Sequence, residues 1–271
     1  MRLDWKGHQV QVRELGEGPS VVLVHGYPLD GAMWSGVARA LSRRFRVLKP
    51  DLPGRGENLA PAEGTIDGYA DFLEALLADL PGASGLAAFS MGGYAALALM
   101  KRSPARVGAL ALLDTRAPAD DEGAKAARDA AIGSVRSGGA AAIVDGTIER
   151  LLAPGSRSNT SLVERVRRII LRQKPETLES DLTAMKDRPD STGLLASLRI
   201  PAIVLTGEQD IISPPAEGRG LAEAIPGARF VPIAGAGHLT PMERPGAVAA
   251  ALEEFFWSAL PKPGPAASSL A

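Results

Sequence analysis

Apolar residues along this chain gather in short runs, and stretches of helical spacing separate the runs. Residues 20–24 read Ser-Val-Val-Leu-Val, the pattern of a strand buried on both faces. Residues 45–48, 85–89, 107–113 and 201–206 repeat that texture and predict further strands. Between them, Ile66, Tyr69, Leu73, Leu76, Leu77 and Leu80 recur at helical spacing, which predicts an amphipathic helix over 65–80. Further helices are expected over 94–101, from about 215, and over 247–260, where Leu252, Phe255 and Phe256 mark the buried face. Residues 10–13 alternate apolar and polar, as a half-exposed antiparallel strand would. Residues 230–233 also suit a strand, and Pro232 within them places it at a sheet edge. Strands that alternate with helices imply an α/β fold, with a mostly parallel sheet covered on both faces.

From about residue 118 to 192 no buried-strand pattern occurs. Asp120-Asp121-Glu122 puts negative charge in the first turn of a helix. Ser161-Leu162-Val163-Glu164 has the form of a capping box ahead of Val166, Ile169 and Ile170. Leu178, Leu182 and Met185 mark another helix, stopped near Pro189. Residues 118–194 therefore read as a helical insertion between two parts of one α/β core, 1–117 and 195–260. The proline- and alanine-rich tail, 261–271, is expected to be disordered.

Composition narrows the chemistry. With 271 residues and 45% apolar content, the chain can bury a large core. A net charge of −1 gives no basic excess for nucleic acid and no polybasic run for a membrane surface. The absence of cysteine excludes disulfides, thiolate metal sites and cysteine nucleophiles. The three histidines, His8, His25 and His238, lack metal-ligand spacing. No signal peptide or spanning segment is evident, so a cytoplasmic protein without cofactor or metal is expected.

Sheets of this type carry their sites at the carboxyl ends of the strands. His25, Asp51, Ser90, Asp114, Asp210 and His238 all follow a predicted strand or lie in its loop. Ser90 stands on a strand-to-helix turn, Phe89-Ser90-Met91-Gly92-Gly93, and is the candidate nucleophile. A free serine hydroxyl needs an adjacent base. His8 belongs to the outer strand, and His25 suits a structural role, its ring holding the loop it follows. His238, in a glycine-flexed loop after the last strand, is the candidate base. Asp210 is the candidate acid, with Asp114 as its rival. Asp51 suits a cap on the Pro53-Gly54 turn, and Trp34 a core anchor. Arg165, Arg167, Arg168 and Arg172 suit a solvated helix face; the alternative is that one of them faces a pocket and holds a substrate carboxylate.

Together, Val24-His25-Gly26-Tyr27-Pro28, Asp51-Leu52-Pro53-Gly54, Phe89-Ser90-Met91-Gly92-Gly93, Gly207-Glu208-Gln209-Asp210 and Gly237-His238 resemble the α/β-hydrolase family, in the family's order. The likeness spans nearly the whole chain except the helical insertion, which lies where the family carries its cap. It implies a Ser90–His238–Asp210 triad and an oxyanion hole formed by the backbone N–H groups of Tyr27 and Met91. One position departs from the pattern: Ala88 stands where the elbow usually has its first glycine. The resemblance implies hydrolysis of a small-molecule ester or lactone through an acyl-enzyme, as in carboxylesterases and enol-lactone hydrolases. Haloperoxidase-like (perhydrolase) and carbon–carbon bond hydrolase chemistry share similar motifs. A ligand receptor or interaction protein on the same fold would also carry them.

Overall fold

In the computed structural model, which describes residues 1–262, the chain opens with an antiparallel hairpin of β1 (Arg2–Trp5) and β2 (His8–Gln11). Leu3 and Trp5 point into the core from β1 while their neighbours stay exposed. After β2 come β3 (Arg13–Leu15), β4 (Ser20–Val24), α1 (Ser35–Leu41), β5 (Arg46–Lys49), α2 (Ile66–Ala78), β6 (Ser84–Phe89), α3 (Met91–Arg102) and β7 (Val107–Leu113). Four helices follow without a strand: α4 (Glu122–Leu151), α5 (Thr160–Leu171), α6 (Pro175–Lys186) and α7 (Thr192–Leu195). The chain then returns to alternation with β8 (Ala202–Gly207), α8 (Pro215–Ala224), β9 (Arg229–Ile233), α9 (Thr240–Glu243) and α10 (Pro245–Ala259). The tail expected to be disordered lies, from residue 263 on, outside the described residues.

Seven strands form one sheet in the order β3-β5-β4-β6-β7-β8-β9, parallel except for β3. This is the α/β-hydrolase arrangement that the sequence implied. Residues 10–13 do not form one strand. The chain leaves the hairpin after Gln11, and Arg13 starts a strand that pairs antiparallel with β5 in the main sheet. The central strands β4, β6 and β8 are buried along their whole length, which is why they read as unbroken apolar runs. At the edge, β9 is only partly buried until Ile233, and Pro232 is exposed there.

Register makes the strand ends level. Val24 pairs with Ala88, Phe89 with Leu113, and Leu113 with Leu205. The next residues continue the ladder: Ser90 N–H donates to Leu113 O at 2.9 Å, and Asp114 N–H to Leu205 O at 2.9 Å. His25, Ser90 and Asp114 therefore emerge side by side at the carboxyl edge.

The helices between β7 and β8 depart from expectation at one start. α5 is capped by Asn159, whose side chain accepts from Leu162 N–H at 3.1 Å, so the helix begins before the Ser161–Glu164 box. Asp121 caps α4 by accepting from Ala124 N–H at 2.8 Å. α4 bends at Gly139, whose φ of 60° is open to glycine, and Pro175 of α6 packs against the bend. Among the described residues no helix is long and apolar enough to cross a membrane.

Two buried carboxylates tie these helices to the core. Asp181 of α6 pairs with Arg55, both fully buried, and also accepts from the Tyr69 hydroxyl of α2. Asp30 accepts from Arg172 Nε at 2.7 Å and from Gln173 Nε2 at 2.9 Å, both just beyond α5. Burial pushes Asp30 up, but the Arg172 bonds and the Ala32 N–H outweigh it and hold the carboxyl below its usual range. Removing one member of a buried pair strands the other. Asp181→Ala is therefore expected to lower the unfolding free energy by about 3–5 kcal/mol in urea denaturation. Glu179→Ala, on the same helix as Asp181, breaks an exposed pair with Arg136 of α4 and should cost no more than about 1 kcal/mol.

Candidate active site

Ser90 sits in the turn between β6 and α3 with φ 51° and ψ −116°, a backbone state that costs a non-glycine residue energy. Ala88 is fully buried and does not prevent the turn. Several contacts hold it there. The Thr115 hydroxyl donates to Ser90 O at 2.8 Å, and Gly93 N–H donates to the same carbonyl at 2.8 Å. The loop after β4 presses against the turn where side chains are absent. A Cβ on Gly92 would lie 2.5 Å from His25 O, and one on Gly26 would lie 3.0 Å from Ser90 Cβ. Alanine at either place would force the Ser90 turn and the Val24-His25-Gly26 backbone apart.

His238 Nε2 lies 2.9 Å from Ser90 Oγ, and His238 Nδ1 lies 2.8 Å from Asp210 Oδ2. Asp210 Oδ1 accepts from Ile212 N–H at 2.8 Å and Ser213 N–H at 3.0 Å, which aims its second oxygen at the ring. A carboxylate that accepts from Nδ1–H fixes the tautomer, so Nε2 is left as an acceptor for the serine hydroxyl. Phe89 packs on the imidazole with ring centroids 5.2 Å apart. Ser90, Asp210 and His238 are each at most 8% exposed. Neither Tyr27 N–H nor Met91 N–H has an acceptor among the described residues. Met91 opens α3, so its N–H also lies at the positive end of the helix dipole.

Ser90 and His238 open onto a cavity of about 540 Å³. Tyr27 and Pro28 line one side, and both arms of the bent α4 line another, from Ala124 to Ser134 and from Ala142 to Leu151. Leu182 and Met185 of α6 and Ile212 after β8 complete the apolar wall.

The Alpha/beta hydrolase family model matches residues 21–251. The chain belongs to that family. Among its relatives is the pimeloyl-[acyl-carrier protein] methyl ester esterase of Chromobacterium violaceum, 32% identical over 237 residues, covering 84% of this chain and 90% of that protein. A thermophilic esterase from Thermogutta terrifontis, solved with malate bound, superposes with a TM-score of 0.90 at 37% identity, over 96% of this chain and 98% of that one. The enol-lactonase from Burkholderia xenovorans gives 0.87 at 27% identity, over 95% and 100% of the two chains.

Other residues singled out in the sequence take different places in this α/β-hydrolase. Asp114 makes no hydrogen bond to His238, whose Nδ1 faces Asp210. It accepts from Gly207 N–H at 2.9 Å and bonds the Thr240 hydroxyl. His25 is fully buried and joins two loops: Leu52 N–H donates to its Nε2 at 3.0 Å, and Nδ1 faces Gly26 O at 3.2 Å. Burial pushes its pKa down, so it stays neutral. Asp51 does not cap the Pro53-Gly54 turn, which Arg55 N–H closes on Leu52 O. Its carboxylate instead accepts from Gly31 N–H at 2.7 Å and Glu57 N–H at 3.0 Å, bracing the loops behind His25. Trp34 is fully buried in the core, and His8 is exposed. Arg165 and Arg168 lie on the outer face of α5. Arg167 pairs with Asp145 and Arg172 with Asp30, so none of the four enters the Ser90 cavity. The arginines that do line it are Arg116, Arg128 and Arg150, which the sequence pattern did not single out.

Sequence reasoning also missed Glu243. Its carboxylate accepts from Gly237 N–H at 2.8 Å and from Ala153 N–H at 2.9 Å. Leu239 N–H donates to Leu151 O at 3.0 Å beside it. The loop that carries His238 is thus fastened to the end of α4. In Glu243→Gln one of the two N–H groups meets an amide donor in place of an oxygen. That change should cost about 1–3 kcal/mol in denaturation and speed hydrogen exchange at Gly237 or Ala153.

Asp114 yields a pH prediction. Burial, and next the charge of Asp210, raise its pKa well above the usual carboxylate range. The native state thus holds this proton more tightly than the unfolded chain does. The resulting stabilisation is complete below the unfolded pKa of about 3.9 and is lost as pH rises through the folded value. Asparagine mimics the neutral acid. The stability of Asp114→Asn relative to wild type should therefore increase as pH is raised above 4 in urea titrations. A difference that stays flat with pH would contradict a protonated Asp114.

Proposed function

We propose that the chain is a serine hydrolase that cleaves a small-molecule carboxylic ester or lactone through an acyl-enzyme. The observation that carries this reading is the unbroken relay from Asp210 through His238 to Ser90, with both bonds at 2.9 Å or less, opening onto a cavity of about 540 Å³. That volume lies in the range of small-molecule sites.

In this reading Ser90 Oγ attacks the substrate carbonyl carbon as its proton passes to His238 Nε2. Asp210 stabilises the imidazolium that forms. The carbonyl oxygen becomes an oxyanion, and the Tyr27 and Met91 N–H groups are the donors that would receive it. The tetrahedral adduct collapses, and the alcohol leaves with the proton from Nε2. For a lactone, that alcohol stays attached to the acyl chain. Water then attacks the acyl-enzyme as His238 takes its proton, and collapse of the second adduct returns the proton to Ser90 and frees the acid. The apolar wall of alanine, leucine, isoleucine and methionine suits an aliphatic portion of the substrate. The esterase and lactonase relatives support the same class of bond.

A fluorophosphonate probe tests the nucleophile. Intact mass spectrometry should show one adduct on the wild type and none on Ser90→Ala; an unlabelled wild type would sink the proposal, and would leave a receptor role as the better account of the fold. Turnover of an ester and lactone panel tests the relay. Ser90→Ala should lose on the order of 10⁶-fold and Asp210→Asn about 10⁴-fold in kcat. Asp114→Asn should stay within a few-fold of wild type. The opposite ranking of the two aspartates would transfer the acid role to Asp114.

A further inference from the structure

A second cavity of about 380 Å³ lies next to the one that holds Ser90, floored by Leu97 and Ala98 of α3 with Leu194 beside them, and edged by Asp67, Lys101 and Asp190. Among the described residues, two line both cavities, Tyr94 and Arg116. Tyr94 stands one helical turn after Ser90 on α3, so its ring borders the reacting centre. The ring is clamped. The Arg188 guanidinium lies 4.2 Å from its centroid. Arg188 is itself buried and fixed, donating to Asp120 Oδ1 at 2.6 Å and to the carbonyls of Met185 and Pro118 at 2.8 Å each. Arg116 is held as well, by Glu217 at 3.2 Å and by the Ile212 carbonyl. A cation over an aromatic face in a desolvated setting resists rotation of the ring.

We propose that Tyr94 is the specificity-determining residue of this site. Its clamped ring walls off the second cavity and so limits how long a linear aliphatic arm the substrate can carry past Ser90. The inference rests on the ester-hydrolase reading. The partition works by bulk: the Tyr94 hydroxyl has no hydrogen-bond partner among the described residues, and Arg188 is anchored independently of it. Shortening the side chain should join the two spaces without touching Ser90, His238 or Asp210.

The test is kcat/KM over p-nitrophenyl esters from acetyl to dodecanoyl, with a matching butyrate series of lengthening alkyl alcohols. The active-site concentration of each variant is fixed by fluorophosphonate labelling. In Tyr94→Ala the ratio of the longest to the four-carbon chain should rise at least about ten-fold in one of the two series, because a few methylenes gain the apolar floor of the second cavity. Tyr94→Leu, which replaces the ring with a smaller side chain that still fills space, should move in the same direction and serves if the alanine variant does not fold. Tyr94→Phe keeps the ring and should keep the wild-type ratio of the longest to the four-carbon chain. Adding Ala98→Phe to Tyr94→Ala refills the second cavity from its own floor and should return the profile to wild type. Unchanged ratios in both series, in labelled Tyr94→Ala or Tyr94→Leu, would overturn the proposal. So would a gain that survives Ala98→Phe. A wild type that cleaves no ester would instead overturn the ester-hydrolase reading, and the length limit would fall with it.

Discussion

The backbone of Ser90 is held at a positive φ, and most of the site depends on that one turn being maintained. A bent serine backbone is unfavourable in isolation, so its neighbours must over-determine it. They do so from three directions. The ladder bond to Leu113 anchors its amide, the Thr115 hydroxyl and Gly93 amide take its carbonyl, and the His25-Gly26 loop leaves no room on the remaining side. Loop and turn can meet only because glycines stand at 26 and 92. The same compression sets the backbone at Gly26 against the serine, and the neighbouring Tyr27 amide, like that of Met91, has no acceptor among the described residues.

Electrostatics separates the two carboxyl groups beneath the histidine. Asp210 receives two backbone amides and the imidazole. Asp114 is equally dry but receives one amide and one hydroxyl, and it faces the charge of its neighbour. Burial and the charge of Asp210 together raise the pKa of Asp114 above the usual carboxylate range. Side-chain type at a strand end does not separate the two aspartates; the count of hydrogen-bond donors does.

Much of the frame was legible in the sequence because burial on both faces leaves few polar positions in β4, β6, β7 and β8. Ser90, Asp210 and His238 could be grouped because each follows a strand whose end is level with the others. Legibility failed where elements are short or where contacts are distant in the chain. β1 and β3 have four and three residues, too few for alternation to stand out. The start of α5 was misplaced because Ser161 and Glu164 have capping-box spacing while the neighbouring Asn159 holds the cap. Arg55 with Asp181 and Arg172 with Asp30 join positions 126 and 142 residues apart. No local pattern announces such a pair, and without it these charges read as ordinary surface. Asp51 shows the limit in miniature: its proline-glycine neighbours suggested a local cap, but its carboxylate braces Gly31, twenty residues upstream.

Glu243 has a consequence for how this fold can change length. The far arm of α4 forms part of the cavity wall, and its last residues are bonded to the loop that carries His238. The cavity wall and the His238 loop therefore share one mechanical register. A residue inserted or deleted between Gly139 and Leu151 would rotate the helix by about 100° and carry the His238 loop with it. The arm before Gly139 has the bend to absorb such a change. Insertions and deletions that remodel the cavity are thus compatible with a working histidine on one side of the bend and not on the other.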